Sequence, residues 1–290
     1  MRLASFSEGG GARVGVVRGD EVHDVTDWLS AHTGTDEGPM DMPRLLRAGR
    51  NLLTLLAAHI TDSGQGRPIA DVELLAPVPR PGKIVAIGRN YADHARETNF
   101  LQLNVPRIIA KLASATCAPG VAVRRPPGVS KLDFEIELAV IIGRTARCVS
   151  EEEAMDYVAG FTILDDLTAR EFQFDVSPPQ TTFAKSMDSF APMGPWLVTT
   201  DEIGDPQSLD LLCSVNGEVV QHGNTRDMQF PIASLIAYIS RFVTLDPGDV
   251  LATGTPAGSG AFRTPPRYLQ PGDRLRLEIE RIGVLEHSIA

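Results

Sequence analysis

The stretch that most restricts the fold runs from Leu132 to Gly143 and reads Leu-Asp-Phe-Glu-Ile-Glu-Leu-Ala-Val-Ile-Ile-Gly. Asp133, Glu135 and Glu137 alternate with Phe134, Ile136 and Leu138. Successive side chains of a strand point to opposite faces, so one face here is apolar and the other carries carboxylates. Like charges at neighbouring same-face positions repel. A cation between them would remove the repulsion, and hard divalent cations prefer carboxylate oxygens. No histidine lies nearby in sequence, which argues against zinc. A solvated strand face accounts for the same spacing equally well, so Glu135 and Glu137 stand here as candidates.

The rest of the chain is ordinary soluble globular sequence: 290 residues, 43% hydrophobic and 22% charged. That length allows one large domain, or a medium domain with a small appendage, without staples. A formal net charge of −10 with no Lys/Arg-rich run makes nucleic acid and anionic membrane poor partners. Cys117, Cys148 and Cys213 are far apart and odd in number, so neither a disulfide framework nor a zinc site is expected. The N-terminus lacks an apolar signal core, and no run of about 18 apolar residues exists to span a membrane. A cytoplasmic protein is the expectation.

Residues 1 to 30 read as short strands, with a turn at Ser7–Gly11 and a hairpin around Arg18-Gly19-Asp20. Residues 31–42 read as a polar loop, and Pro43 to Ile60 as a helix carrying Leu45, Leu46, Leu52, Leu53 and Leu56 on one face. The proline-rich segment Leu75–Gly82 is extended and marks a boundary between a small N-terminal α/β module, residues 1–80, and a main domain, residues 81–290. From Lys83 onward, strands separated by Gly and Pro turns dominate. Ile84–Gly88 and Phe161–Leu164 are short buried strands, and Asn216-Gly217 is a strong hairpin turn. Ser150-Glu151-Glu152-Glu153 is a capping box opening a helix that ends near Gly160. Ile232, Leu235, Ile236, Ile239 and Val243 form one face of another helix, and a final strand alternates Leu275, Leu277 and Ile279 with charged residues. The class is α+β and β-rich.

Four further groups of residues carry chemistry. Asp165-Asp166 closes a strand and is free to point into a cleft or to cap a helix. Arg170 and Gln173 follow Asp166 at helical spacing, which on a helical turn puts the three on one face. Lys185 lies between apolar flanks, either as a surface charge or as a buried, paired one. His94 and Glu97 are three apart, a carboxylate beside an imidazole, as general-base work requires. His23, His32, His59, His222 and His287 have no such neighbour and read as structural or exposed. Thr253–Gly260 lacks a phosphate-loop ending, but exposed N–H groups and hydroxyls there can hold a substrate carboxylate. No G-x-S-x-G elbow exists to support a serine hydrolase.

Taken in order, these segments resemble the fumarylacetoacetate hydrolase family. The resemblance rests on I-G-R-N-Y-A-D-H-A-R-E-T-N from Ile87, L-D-F-E-I-E-L-A-V-I-I-G from Leu132 and F-T-I-L-D-D-L-T-A-R-E-F-Q from Phe161. F-A-K-S-M-D-S-F-A-P-M-G-P-W from Phe183, V-N-G-E-V-V-Q from Val215 and L-A-T-G-T-P-A-G-S-G from Leu251 complete it. It implies a mixed β-sandwich roll for residues 81–290, with Glu135, Glu137 and Asp166 holding Mg²⁺ or Mn²⁺. It implies Lys185 as a group that binds substrate or stabilises charge, and Arg170 and Gln173 beside the metal. Thr255 would help hold a substrate carboxylate, and His94 with Glu97 would activate water from a lid segment. Arg89 and Tyr91 are substrate contacts by position. The implied activity is hydrolysis of a C–C bond in an acylpyruvate-type 2-oxo acid by a homodimer. Decarboxylation, isomerisation or sugar-acid dehydration on the same metal site is the alternative, and a binding protein without turnover is a further one. Two positions depart from the pattern: Asp165 stands where asparagine is common, adding charge beside the metal, and Ile109 where an aromatic is common.

Overall fold

Asn216 and Gly217 adopt φ of 53° and 84°, the mirror-turn conformation that joins two twisted strands through two residues. Strands Asp210–Val215 and Glu218–Asn224 pair antiparallel on either side of this turn. The computed structural model describes residues 1–33, 40–60, 66–97 and 103–290. Strand Arg274–Ile279 pairs next to Asp210–Val215, with Leu275, Leu277 and Ile279 buried as the period-two pattern expects. It is not the last strand, because Gly283–Ile289 returns antiparallel against it. That strand escapes a hydrophobic-pattern reading because His287 occupies one of its inward positions. Ala122–Val123 completes this five-stranded sheet.

The larger sheet positions the acidic residues. Ile136–Ile142 is buried along its whole length, flanked by Val158–Asp165 on one side and Val250–Ala252 on the other. Ile84–Gly88 runs parallel to Val250–Ala252, and Arg107–Lys111 pairs antiparallel with Ile84–Gly88 at the edge. On the far side, Val158–Asp165 pairs with Ala191–Thr199, which pairs in turn with the N-terminal strand Arg2–Glu8. The N-terminal hairpin Gly11–Arg18 and Glu21–Asp24 extends the same sheet. The segment around Leu75–Gly82 therefore separates two stretches of sequence that share one sheet and one apolar cluster, from Leu3 and Leu45 to Ile136 and Phe161.

Several expected elements are redrawn. The helix over Pro43 to Ile60 is two, Met42–Ala48 and Arg50–Ile60, broken at Gly49 with φ of 85°. Within residues 31–42, the chain is helical to Thr33, and residues 34–39 lie outside the described residues. The Ser150 cap forms, its Oγ accepting from Glu153 N–H at 3.3 Å, but the helix is only Glu151–Ala154. A strand begins at Val158 because Gly160 lets the neighbouring strand close in: a Cβ there would sit 2.2 Å from the Val198 carbonyl oxygen. Helix Ile232–Ser240 buries Ile232, Leu235, Ile236 and Ile239, and Val243 lies beyond its end.

Candidate metal centre

Glu135 and Glu137 are buried, as is Asp166, so the solvated-face explanation of the acidic strand does not hold. Register brings the three together. Ile136 pairs with Asp165, so the residue after Asp165 turns toward the start of the acidic strand, and Asp166 N–H donates to the Glu135 carbonyl at 2.9 Å. One carboxylate oxygen from each of Glu135, Glu137 and Asp166 lies within 4.8 Å of the others. Asp133 belongs to a separate two-residue strand and is not one of the three clustered carboxylates. It accepts from Gly260 N–H at 2.7 Å, Ala261 N–H at 3.0 Å and Arg170 Nε at 2.8 Å.

Lys185 ends the helix Thr181–Lys185 and is buried, not a surface charge. Its Nζ donates to Glu135 Oε2 at 2.7 Å, Asp166 Oδ2 at 2.5 Å and Thr168 Oγ1 at 2.9 Å. Lys111, which sequence reasoning missed, donates to Asp166 Oδ1 at 2.8 Å and also to the Lys185 carbonyl. The signal for it lay in the strand Arg107–Lys111, where period two puts Lys111 on the same inward face as Ile109. Arg170 Nη2 donates to Glu135 Oε1 at 2.5 Å and Nη1 to Gln173 Oε1 at 2.8 Å. These contacts do not come from a regular helical face shared with Asp166. Thr168–Ala169 is extended and Glu171–Asp175 is a single π-turn, so Arg170 swings toward Asp133 and Glu135 instead.

The electrostatics single out Glu137. Burial alone would raise the Glu135 carboxyl, but Lys185 and then Arg170 outweigh it and hold that group well below the usual carboxylate range. Burial would lower the Lys185 ammonium, but Asp166 and Glu135 outweigh it and raise that group. Glu137 accepts only from a neutral donor, Gly254 N–H at 2.8 Å, and makes no ion pair among the described residues. Burial, then Asp166 and Glu135, push its carboxyl well above the ordinary value. An uncompensated buried carboxylate beside two others is what a hard divalent cation would neutralise, so the donor set fits Mg²⁺ or Mn²⁺.

The remaining expected residues are placed as follows. Helix Ala92–Glu97 carries His94, whose Nδ1 lies 3.2 Å from Glu97 Oε2, and His94 lines the cavity that holds Glu135, Glu137, Asp166 and Lys185. The tail of that motif, Thr98-Asn99, lies outside the described residues. Arg89, Gln173 and Thr255 line the same cavity. Tyr91 does not: its ring is fully buried, and its hydroxyl, which has no hydrogen-bond partner among the described residues, is raised well above its ordinary pKa by burial and then by Glu137. The loop from Thr253 was expected to offer N–H groups to a substrate. Instead Gly254, Ala257, Gly258 and Gly260 donate to Glu137, Asp93, Glu97 and Asp133, so the loop cradles the chain's own carboxylates. Asp165 is not one of the three clustered carboxylates. It accepts from Glu135 N–H at 2.9 Å and meets His287 Nε2 at 2.8 Å on the opposite side of the strand. Gln221 is a second omission, since its partners Ile136, Thr255 and Pro256 are remote in sequence.

The sequence and the fold resemble those of known proteins. The family model Fumarylacetoacetate (FAA) hydrolase C-terminal matches residues 83–290. The chain belongs to the fumarylacetoacetate hydrolase family. A second model, Rv2993c-like, N-terminal, matches residues 1–77 of this family member. Oxaloacetate tautomerase FAHD2A, mitochondrial, of Bos taurus is 42% identical over 251 residues, 87% of this chain and 80% of that protein. Maleylpyruvate hydrolase from Sphingobium sp. SYK-6, solved with manganese(II) ion and pyruvate, aligns with a TM-score of 0.82 at 36% identity, covering 100% of this chain and 99% of that one. 5-Carboxymethyl-2-hydroxymuconate delta-isomerase from Mycobacterium smegmatis aligns at 0.78 and 30% identity, covering 100% and 99%. The α+β, strand-rich fold is thus the family fold, and its members include hydrolases, isomerases and tautomerases. Among the described residues no helix is long and apolar enough to cross a membrane.

Proposed function

We propose that this family member is a Mg²⁺- or Mn²⁺-dependent hydrolase that cleaves a C–C bond of an acylpyruvate-type 2,4-dioxo acid. The observation that supports this reading is His94, backed by Glu97, on the wall of the cavity that holds Glu135, Glu137, Asp166 and Lys185. A cation held by the three carboxylates would supply Lewis-acid polarisation of a 2-oxo carboxylate. Lys185, whose three N–H groups are taken by Glu135, Asp166 and Thr168, places a buried positive charge at the same carboxylates, and the field of that charge stabilises negative charge developing on the substrate ketone oxygen as the bond beta to it breaks. Three of the five N–H donors of Arg170 are engaged by Asp133, Glu135 and Gln173, and the guanidinium holds Glu135 in place. Ionised Glu97 can only accept, so His94 Nδ1 carries the proton and Nε2 is the basic nitrogen. That nitrogen takes a proton from water, the water attacks the distal carbonyl, and the C–C bond breaks to leave pyruvate, by way of its enolate, and a carboxylic acid.

A second reading is keto–enol tautomerisation of a 2-oxo acid, favoured by the 42% identity to a protein named as an oxaloacetate tautomerase. It uses the same charge stabilisation and lets His94 move a proton without an attacking water. The two are separated by stripping the protein with chelator, restoring Mg²⁺ or Mn²⁺, and following acetylpyruvate, fumarylpyruvate and oxaloacetate with product analysis. Activity that survives complete chelation or Glu135→Ala would sink both. Tautomerisation of oxaloacetate with no acylpyruvate cleavage would sink the hydrolase. A cytoplasmic homodimer belongs to the same proposal, and sedimentation of the purified protein tests the assembly.

A further inference from the structure

Two of the three triad carboxylates are held in place by an acidic residue outside the triad. Asp165 is fully buried at the end of strand Val158–Asp165 and directly precedes Asp166. Its Oδ1 accepts from Glu135 N–H at 2.9 Å, while Asp166 N–H donates to the Glu135 carbonyl at 2.9 Å. The dipeptide Asp165-Asp166 therefore grips both backbone polar groups of Glu135, which sits just before the first ladder pair, Ile136 with Asp165. The position of Glu135 beside Asp166 thus depends on the orientation of the Asp165 carboxylate.

That orientation is fixed from the other sheet. Asp165 Oδ2 meets Nε2 of His287, on strand Gly283–Ile289, at 2.8 Å, with both side chains fully buried. Among the described residues no Lys or Arg pairs with Asp165, and His287 is its one basic partner. A carboxylate only accepts, so Nε2 carries the proton. Nδ1 of the same ring is buried with no partner among the described residues. Leaving a buried nitrogen unpaired is costly, and the neighbouring inward positions of the strand, Leu285 and Ile289, are apolar and carry no such cost. The bond to Asp165 offsets it: without a donor at position 287, a buried carboxylate oxygen would lose its partner. An asparagine at position 165 would present N–H groups toward position 287 and need no donor there, so Asp165 and His287 are matched to each other.

We infer that His287 is a positioning residue of the metal centre: through Asp165 it fixes the backbone of Glu135 beside Asp166, so that both carboxylates stand ready for a cation. The inference rests on the reading that Glu135 and Asp166 hold that cation. Groups that orient metal ligands through hydrogen bonds change affinity by about 10–100-fold when they are removed.

The test replaces the donor and keeps the strand. His287→Leu and His287→Phe remove the N–H, His287→Gln keeps one, and Leu285→Ala weakens the core packing of the same strand while leaving the donor in place. Mn²⁺ affinity is measured by calorimetry, and backbone hydrogen exchange at Glu135 is followed in the chelated proteins. The two apolar variants should weaken Mn²⁺ binding by about 10–100-fold and speed exchange at Glu135 by about tenfold. His287→Gln should restore most of both, and Leu285→Ala should leave Mn²⁺ affinity unchanged. In a wild type that binds Mn²⁺, unchanged affinity in a folded apolar variant would overturn the inference, as would an equal loss in Leu285→Ala or His287→Gln. Unchanged exchange at Glu135 in the apolar variants would overturn it in any case. A neutral His287 ring protonated at Nδ1 in wild type, read by nitrogen NMR, would overturn it without any variant. If wild type binds no Mn²⁺, while exchange at Glu135 is faster in the apolar variants and restored in His287→Gln, the positioning of Glu135 is supported and the metal reading is removed.

Discussion

Gln221 Nε2 donates to Thr255 Oγ1 at 2.8 Å, and the amide can be oriented in only one way. Its Oε1 accepts from Ile136 N–H at 3.1 Å, and its Nε2 also donates to the Pro256 carbonyl at 2.9 Å. Both backbone partners have fixed polarity, so Thr255 must accept from Gln221, and its own proton is left to donate to an acceptor in the cavity. Gln221→Glu removes the donor and should lower kcat/KM for 2-oxo acids by about tenfold. Thr255→Val should do the same, and the double variant should lose little more than either alone. Additive losses in that cycle would show that Gln221 does not act through Thr255.

Glu137 gives a prediction whose sign depends on metal. Without a cation its carboxylate is buried beside Asp166 and Glu135 with no ion pair among the described residues. Glu137→Gln should therefore leave the chelated protein as stable as wild type or raise its Tm. In wild type, Mn²⁺ at about 100 times its Kd should stabilise by about 2.7 kcal/mol. That Mn²⁺-dependent rise in Tm should be lost in Glu137→Gln. Thermal unfolding of both proteins with chelator and with Mn²⁺ checks both signs.

Lys185 carries structure and chemistry together. Its ammonium bonds both Glu135 and Asp166 inside the fold, so Lys185→Met leaves buried carboxylates uncompensated. A loss of about 3–5 kcal/mol in denaturant unfolding of the chelated protein is expected. With Mn²⁺ restored and the protein folded, kcat should still be down by about 100-fold or more, because stabilisation of developing negative charge is gone.

Thiol reactivity separates the three cysteines. The Cys117 thiol is pushed up to about 12 by burial and then by Asp165, and burial pushes Cys213 well above its ordinary value. Cys148 is exposed. A raised pKa leaves the thiol protonated and unreactive, so at pH 8 iodoacetamide should label Cys148 in the native protein and all three cysteines only after denaturation. Mass spectrometry of native and unfolded samples reads this out.

Local sequence was enough for whatever depends on neighbouring residues. Alternation placed Glu135 and Glu137 beside an apolar face, Asn216-Gly217 specified a two-residue turn, and spacing paired His94 with Glu97. The ordered motifs were enough for the family and for adding Asp166 and Lys185 to the acidic pair. The tertiary structure decided which way each charged group faces, because that depends on strands far apart in sequence. Pairing of Ile136 with Asp165 turned Asp166 toward the triad and Asp165 toward His287. The loop from Thr253 found its acceptors in Glu137, Asp93, Glu97 and Asp133, and so lost the N–H groups a substrate was expected to use. Lys111 and Gln221 entered the site by the same route. Burial removes water as a partner for such groups, and which group then meets which is set by the packing of the whole sheet.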